Sequence, residues 1–232
     1  ATTEIYTLSL HDALPISCAA SCGMDAIKSD EDGKGFGFFA NRLLVSHDLK
    51  PLDTLGQYRE VFTFPIEDYY KRVGFDFDKT PFSILAHEYM EDYQEKSYAC
   101  DLHSDVLDVV NRAKDLGFSQ TVLSASKMDY LLKQMKTLNV DTLFDSIYGI
   151  NDIYAKSKVE LAHAFKQTCN LDDEIYFVGD SVHDYEVAKS IGAKCILVTT
   201  GHQNRATLES VHVPVMDSLM ESRSEEHTSE LQ

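Results

Sequence analysis

The chain has 232 residues, 44% of them hydrophobic, which suits one core domain with a modest second unit, and no apolar run reaches membrane-spanning length. A formal net charge of −17 excludes nucleic acid and an anionic membrane as partners, so any affinity for phosphate has to be local. Five cysteines, an odd number in no framework-like spacing, predict reduced thiols in the cytoplasm, and Cys18 and Cys22 lack the second ligand pair of a zinc site.

In chain order, residues 1–17 begin ATTEIYTLSLHDALPI, which resembles one translated frame of a sequencing-library adapter, and RSEEHTSELQ at 223–232 resembles the opposite adapter. Both stretches are expected to be tails outside the domain. A signal peptide is the rival reading of the first, but it lacks a basic leader, and His11 and Asp12 interrupt its apolar region. Residues 18–37 form a glycine-rich joint of uncertain structure. Asp30 and Asp32 followed by Gly33, Gly35 and Gly37 imitate a phosphate or calcium loop, yet no apolar strand precedes them and no closing Glu follows.

From 38 to 98 the spacing is helical. Phe39, Leu43 and Leu44 share one face before Pro51; LDTLGQYREVF gives a second helix, IEDYYKRV a third, and PFSILAHEYMEDYQEK a fourth, opened by Pro81. Lys71 and Arg72 could meet an anion, although a solvated helix face is the commoner meaning of such a pair. Asp76 and Asp78 in GFDFDKT form an Asp-x-Asp. The YYKRVG before them is helical and cationic, unlike the apolar run of a central parallel strand, so a turn between helices is expected there.

Residues 99–222 alternate regularly between helix and strand. A helix over about 104–116 ends at Gly117, the strand QTVLS ends at Ser124, and a second helix covers about 128–138. A short segment at 144–149 is followed by Lys158 in YAKSK and a helix over 159–165. The run Ile175 to Val178 then stops at Gly179, and Asp180 and Asp184 flank a turn into a helix that Gly192 ends. Cys195 to Val198 make the next strand. This alternation predicts an α/β fold, a Rossmann-like doubly wound parallel sheet, with ligand-binding residues at the carboxyl ends of its strands. Two neighbouring carboxylates repel unless a cation lies between them, and hard oxygen ligands suit Mg²⁺. His87, His103 and His163 fit surface or helix-packing positions, while His183 and His202 are expected to support the acidic turn without ligating metal.

A hydroxyl at a strand end, then a lysine, then an acidic pair on a Gly-Asp turn resembles the haloacid dehalogenase superfamily, and most closely its phosphoglycolate-phosphatase-like branch. The resemblance runs from about Phe38 to Leu208 and identifies 38–98 as a helical cap on the 99–222 core. It implies that Ser124 and Lys158 hold a transferring phosphoryl group and that Asp180 and Asp184 hold Mg²⁺. The implied activity is hydrolysis of small phosphorylated metabolites through an aspartyl-phosphate. The nucleophilic Asp and its acid–base partner belong at the end of the first core strand. That strand should lie upstream of Phe38, where the sequence is tail and joint, so the core is expected to lack it and this chain to be inactive. The alternatives are a non-catalytic phosphate- or metal-binding module, and a sugar phosphomutase or dehalogenase on the same fold; the acidic pair disfavours the dehalogenase. Oligomeric state is not legible in the sequence.

Overall fold

The computed structural model describes residues 4–9, 39–96, 102, 105–150 and 158–219; the joint at 18–37, the tail at 223–232 and His103 lie outside them. Six strands, β1 (Glu4–Ser9), β2 (Ser119–Lys127), β3 (Ser146–Ile150), β4 (Glu174–Gly179), β5 (Lys194–Val198) and β6 (Val215–Met216), form one sheet. They are all parallel, in the order β3-β2-β1-β4-β5-β6. The order reverses at β1, and an open α/β sheet places its ligand crevice at such a switch point, outside the carboxyl ends of the strands.

Five helices cover the sheet: α5 (Val106–Asp115), α6 (Met128–Thr137), α7 (Lys158–Lys166), α8 (Val182–Ser190) and α9 (Arg205–Glu209). Alternate strand residues face opposite sides, as the two-residue period of a strand requires. Val178 and Ile196 pack with Val110 of α5 and Met135 of α6, whereas Phe177 and Leu197 pack with Phe165 of α7 and Val187 of α8. Both faces are buried under helices, which is why Ile175 to Val178 is continuously apolar and does not alternate with polar residues.

The four helices expected before the core are α1 (Phe39–Ser46), α2 (Leu55–Val61), α3 (Ile66–Arg72) and α4 (Phe82–Lys96). They enclose a core of their own around Leu44, Tyr58, Phe62, Tyr70 and Leu85. Thr54 caps α2 by accepting the Gln57 N–H at 3.1 Å. Asp76 and Asp78 fall in the turn between α3 and α4, exposed to solvent. There Asp76 accepts the N–H of Asp78 at 3.0 Å and lies 3.6 Å from Lys79, a local turn arrangement.

One expectation needs correcting. Residues 4–9, set aside with the tail at 1–17, are placed as β1, paired with β2 on one side and β4 on the other, so the described core does not lack a first strand. Without β1, the facing edges of β2 and β4 would carry unpaired N–H and C=O groups inside the sheet. Ile5, Tyr6 and Thr7 are residue types that favour extended backbone. The short strand β6 and helix α9 were not anticipated either; a two-residue strand has too little pattern to detect.

Candidate active site

Val122 of β2 and Val178 of β4 both pair with Leu8 of β1. Ser124 lies two residues beyond the first and Asp180 two beyond the second. They therefore stand level on the carboxyl edge, about 10 Å apart across two strand spacings. Ser124 is fully buried, and its hydroxyl accepts the Ser126 N–H at 3.0 Å. Lys158 opens α7 and Asp184 sits in the first turn of α8, so four elements, β2, β4, α7 and α8, bring the four residues expected from sequence to one edge.

The acidic turn is rigidly tied. Ser181 caps α8 and forms a capping box with Asp184, each side chain answering the other's backbone N–H. Asp184 Oδ2 accepts the N–H groups of Asp180 and Ser181, both at 3.1 Å, and the Ser181 hydroxyl at 2.7 Å. Its Oδ1 takes the Lys158 ammonium in an ion pair whose two side chains are 2% and 0% exposed. Asp180 is different. Its Oδ2 accepts the backbone N–H of His202 at 2.7 Å, while its Oδ1 is buried with no hydrogen-bond partner among the described residues.

Burial, and after it the charge of Asp184, raises the Asp180 carboxyl to about 7. An orphaned, desolvated oxygen beside a second carboxylate is what a hard cation would satisfy. The residues present fit Mg²⁺, which Asp180 Oδ1 would hold; Asp184, expected as a second ligand, has both oxygens engaged by Asp180, Ser181 and Lys158 and fixes the turn. No cluster of three or more His, Cys, Asp or Glu able to hold a metal occurs among the described residues.

Backbone packing explains two glycines. A Cβ on Gly201 would stand 1.7 Å from Asp180 Oδ2, and one on Gly179 would stand 2.3 Å from the Asp184 Cβ. The loop at 200–203 can close over Asp180 only because nothing projects there.

The helical unit reaches this loop through residues that sequence patterns did not single out. Arg59 of α2 donates to the carbonyls of Gly201 at 2.9 Å and Thr200 at 3.0 Å. Tyr58 is hydrogen-bonded to His202 Nδ1 at 2.6 Å, and the His202 ring stacks on Phe62 with centroids 4.6 Å apart. Burial lowers the His202 imidazole to about 4. His202 thus serves the acidic turn through its backbone, while His183 lies at 3.4 Å from Glu186 on the same helix. At the end of β1, Thr7, Leu8 and Ser9 supply no carboxylate.

A cavity of about 330 Å³ lies between α2–α4 and the sheet. Its walls include Tyr58, Phe62, Tyr69 and Met90 from the helical unit, and Ser126 and His202 from the edge just described.

A family model for haloacid dehalogenase-like hydrolases matches residues 39–198. Among solved structures, the chain resembles a haloacid dehalogenase-like family hydrolase from Streptococcus pneumoniae, with a TM-score of 0.73 and 18% identity over 100% of this chain and 99% of the other. A predicted phosphatase from Clostridium acetobutylicum gives 0.70 and 16%, over 100% and 99%. A predicted phosphoglycolate phosphatase from Haemophilus somnus 129pt gives 0.64 and 14%, over 96% and 97%. At these identities the likeness concerns the fold. No curated protein sequence matches the chain.

Proposed function

The chain belongs to the haloacid dehalogenase-like hydrolase family, and on that premise we propose that its site is built for Mg²⁺-dependent phosphatase chemistry on small phosphorylated metabolites of the cytoplasm, in a chain that stops short of turnover. The observation that carries this is the gathering of Ser124, Lys158, Asp180 and Asp184 on one sheet edge, with one Asp180 oxygen left for a cation.

Ser124 accepts from Ser126 and keeps its own proton to donate to a phosphoryl oxygen. Lys158 offsets the charge of Asp184, and Asp184 in turn holds the Asp180 backbone. A Mg²⁺ at Asp180 Oδ1 would supply neutralisation of the phosphate charge. Group transfer also needs a carboxylate nucleophile where β1 delivers the chain to the crevice, and β1 ends on Ser9. With no carboxylate among the described residues at the end of β1, the reading that fits this chain is a phosphate- and metal-binding module.

The sequence offers a direct test, because Leu10, His11 and Asp12 follow β1 and Leu10→Asp writes an Asp-x-Asp there. The expected outcome with 4-nitrophenyl phosphate and Mg²⁺ is no turnover by the wild-type chain and measurable turnover by Leu10→Asp, lost again in Leu10→Asp/Asp180→Asn. Wild-type turnover that disappears in Asp76→Asn would move the nucleophile to the turn between α3 and α4 and refute this assignment.

A further inference from the structure

The cavity between α2–α4 and the sheet borders the phosphoryl edge through residues bonded to it. Ser126, in its wall, donates its N–H to Ser124, and His202, also in its wall, donates its N–H to Asp180. Whatever is esterified to a phosphate held at Ser124 and Asp180 therefore has this space to occupy. We infer that the cavity takes the leaving group of a phosphomonoester and selects an uncharged aromatic one over a small anionic one such as glycolate. This inference rests on the phosphatase site proposed above.

Three observations support it. The walls are built from rings, and Tyr58 and Tyr69 meet edge to face at 5.9 Å with an interplanar angle of 74°, leaving aromatic faces and edges as the recognition surface. Among the described lining residues Lys127 is the one cation. Its side chain is 48% exposed, lies 3.7 Å from Asp129 and rests over the ring of Tyr130, itself a lining residue, so its charge is shared with solvent and a neighbouring acid. A carboxylate carried into the cavity would shed its water for a single half-exposed cation already beside an acid, whereas a neutral ring gains contact with other rings. Finally, the Tyr69 hydroxyl is buried with no hydrogen-bond partner among the described residues. A buried polar group is rarely left unanswered, and in a cavity wall a ligand is its natural partner. The volume, about 330 Å³, lies at the lower end of small-molecule pockets and suits one or two fused rings.

The test is calorimetric titration of the full chain with Mg²⁺, using 2-naphthyl phosphate, 2-phosphoglycolate, 2-naphthol and inorganic phosphate as probes. The expected result is at least tenfold tighter binding of 2-naphthyl phosphate than of 2-phosphoglycolate. Ala86→Trp, which adds a ring to the cavity wall on α4, should weaken 2-naphthyl phosphate and 2-naphthol at least tenfold and leave inorganic phosphate unchanged. Equal or tighter binding of 2-phosphoglycolate by the wild-type chain overturns the inference and needs no variant to be folded. So does naphthyl affinity that a folded Ala86→Trp leaves intact. Inorganic phosphate tells the two proposals apart: failure of phosphate to bind, with 2-naphthol still bound and sensitive to Ala86→Trp, refutes the phosphoryl site and upholds the aromatic preference of the cavity.

Discussion

Asp184→Asn exchanges one oxygen for an amide nitrogen, yet it leaves an ammonium buried at 2% exposure without its carboxylate. Removing one partner of a buried ion pair costs about 3–5 kcal/mol, because the remaining charge stays out of water and has lost its paired carboxylate. Lys158→Met is the milder change. The Asp184 carboxylate keeps the Asp180 N–H, the Ser181 N–H and the Ser181 hydroxyl, and hydrogen bonds to a charged group contribute about 1.5–3 kcal/mol each. A loss of about 2–3 kcal/mol is expected for it. In the double variant both charges are gone and the Asn oxygen can still accept from Ser181, so the total should fall well short of the sum of the single losses. The coupling energy should reach about 2 kcal/mol or more, read from urea unfolding of all four chains with a common m-value. Single losses that add to within about 0.5 kcal/mol would show that Lys158 and Asp184 do not depend on one another and would refute the ion-pair account.

Two further outcomes follow from the same geometry. Asp180 holds a proton up to about 7 in the fold against an ordinary 3.8, so its contribution to stability is full below 3.8 and is lost as pH rises through 7. His202 is lowered from 6.5 to about 4, so its contribution is full above 6.5 and is lost as pH falls through 4. The two oppose each other between pH 4 and 6.5. Without Mg²⁺, the melting temperature of Asp180→Asn should climb with pH across that window relative to wild type, and that of His202→Gln should fall; equal slopes in both variants would contradict these assignments. In β1, each residue gives its N–H to one neighbouring strand or the other, so Thr7→Pro removes a ladder bond from the middle of the sheet. A loss of about 3 kcal/mol or more in thermal unfolding is expected. An unchanged transition would mean that residues 4–9 contribute nothing to the sheet.

Most of the core could be read locally. The spacing of Val187, Ala188 and Ile191, the apolar run before Gly179 and the stop at Gly117 are short-range signals, and the elements formed where those signals lie. Lys158, Asp180 and Asp184 were recognisable for the same reason, since each lies at or next to the end of an element whose pattern is strong; β2, expected to end at Ser124, runs on to Lys127, with an irregular register between Leu123 and Lys127. Asp76 and Asp78 were separated from a true strand end by the helical spacing before them, and the structure places them in the expected turn.

The sequence by itself determined the doubly wound fold, the helical unit ahead of it and the elements that carry acid, hydroxyl and lysine, because backbone periodicity and helix capping act within a few residues. Tertiary structure alone decided the rest. The strand at residues 4–9 has too short a pattern to separate from a tail, and it is defined by the gap between β2 and β4. The division of labour between Asp180 and Asp184 depends on which oxygens find donors, and the decisive donor, His202, stands 22 residues from Asp180. The bond from Tyr58 to His202 spans 144 residues, and the cavity beside it exists only once the helical unit closes on the sheet. Such contacts leave no periodic trace in the chain, since the groups that meet there are brought together by the packing of separate elements and not by their spacing along any one of them.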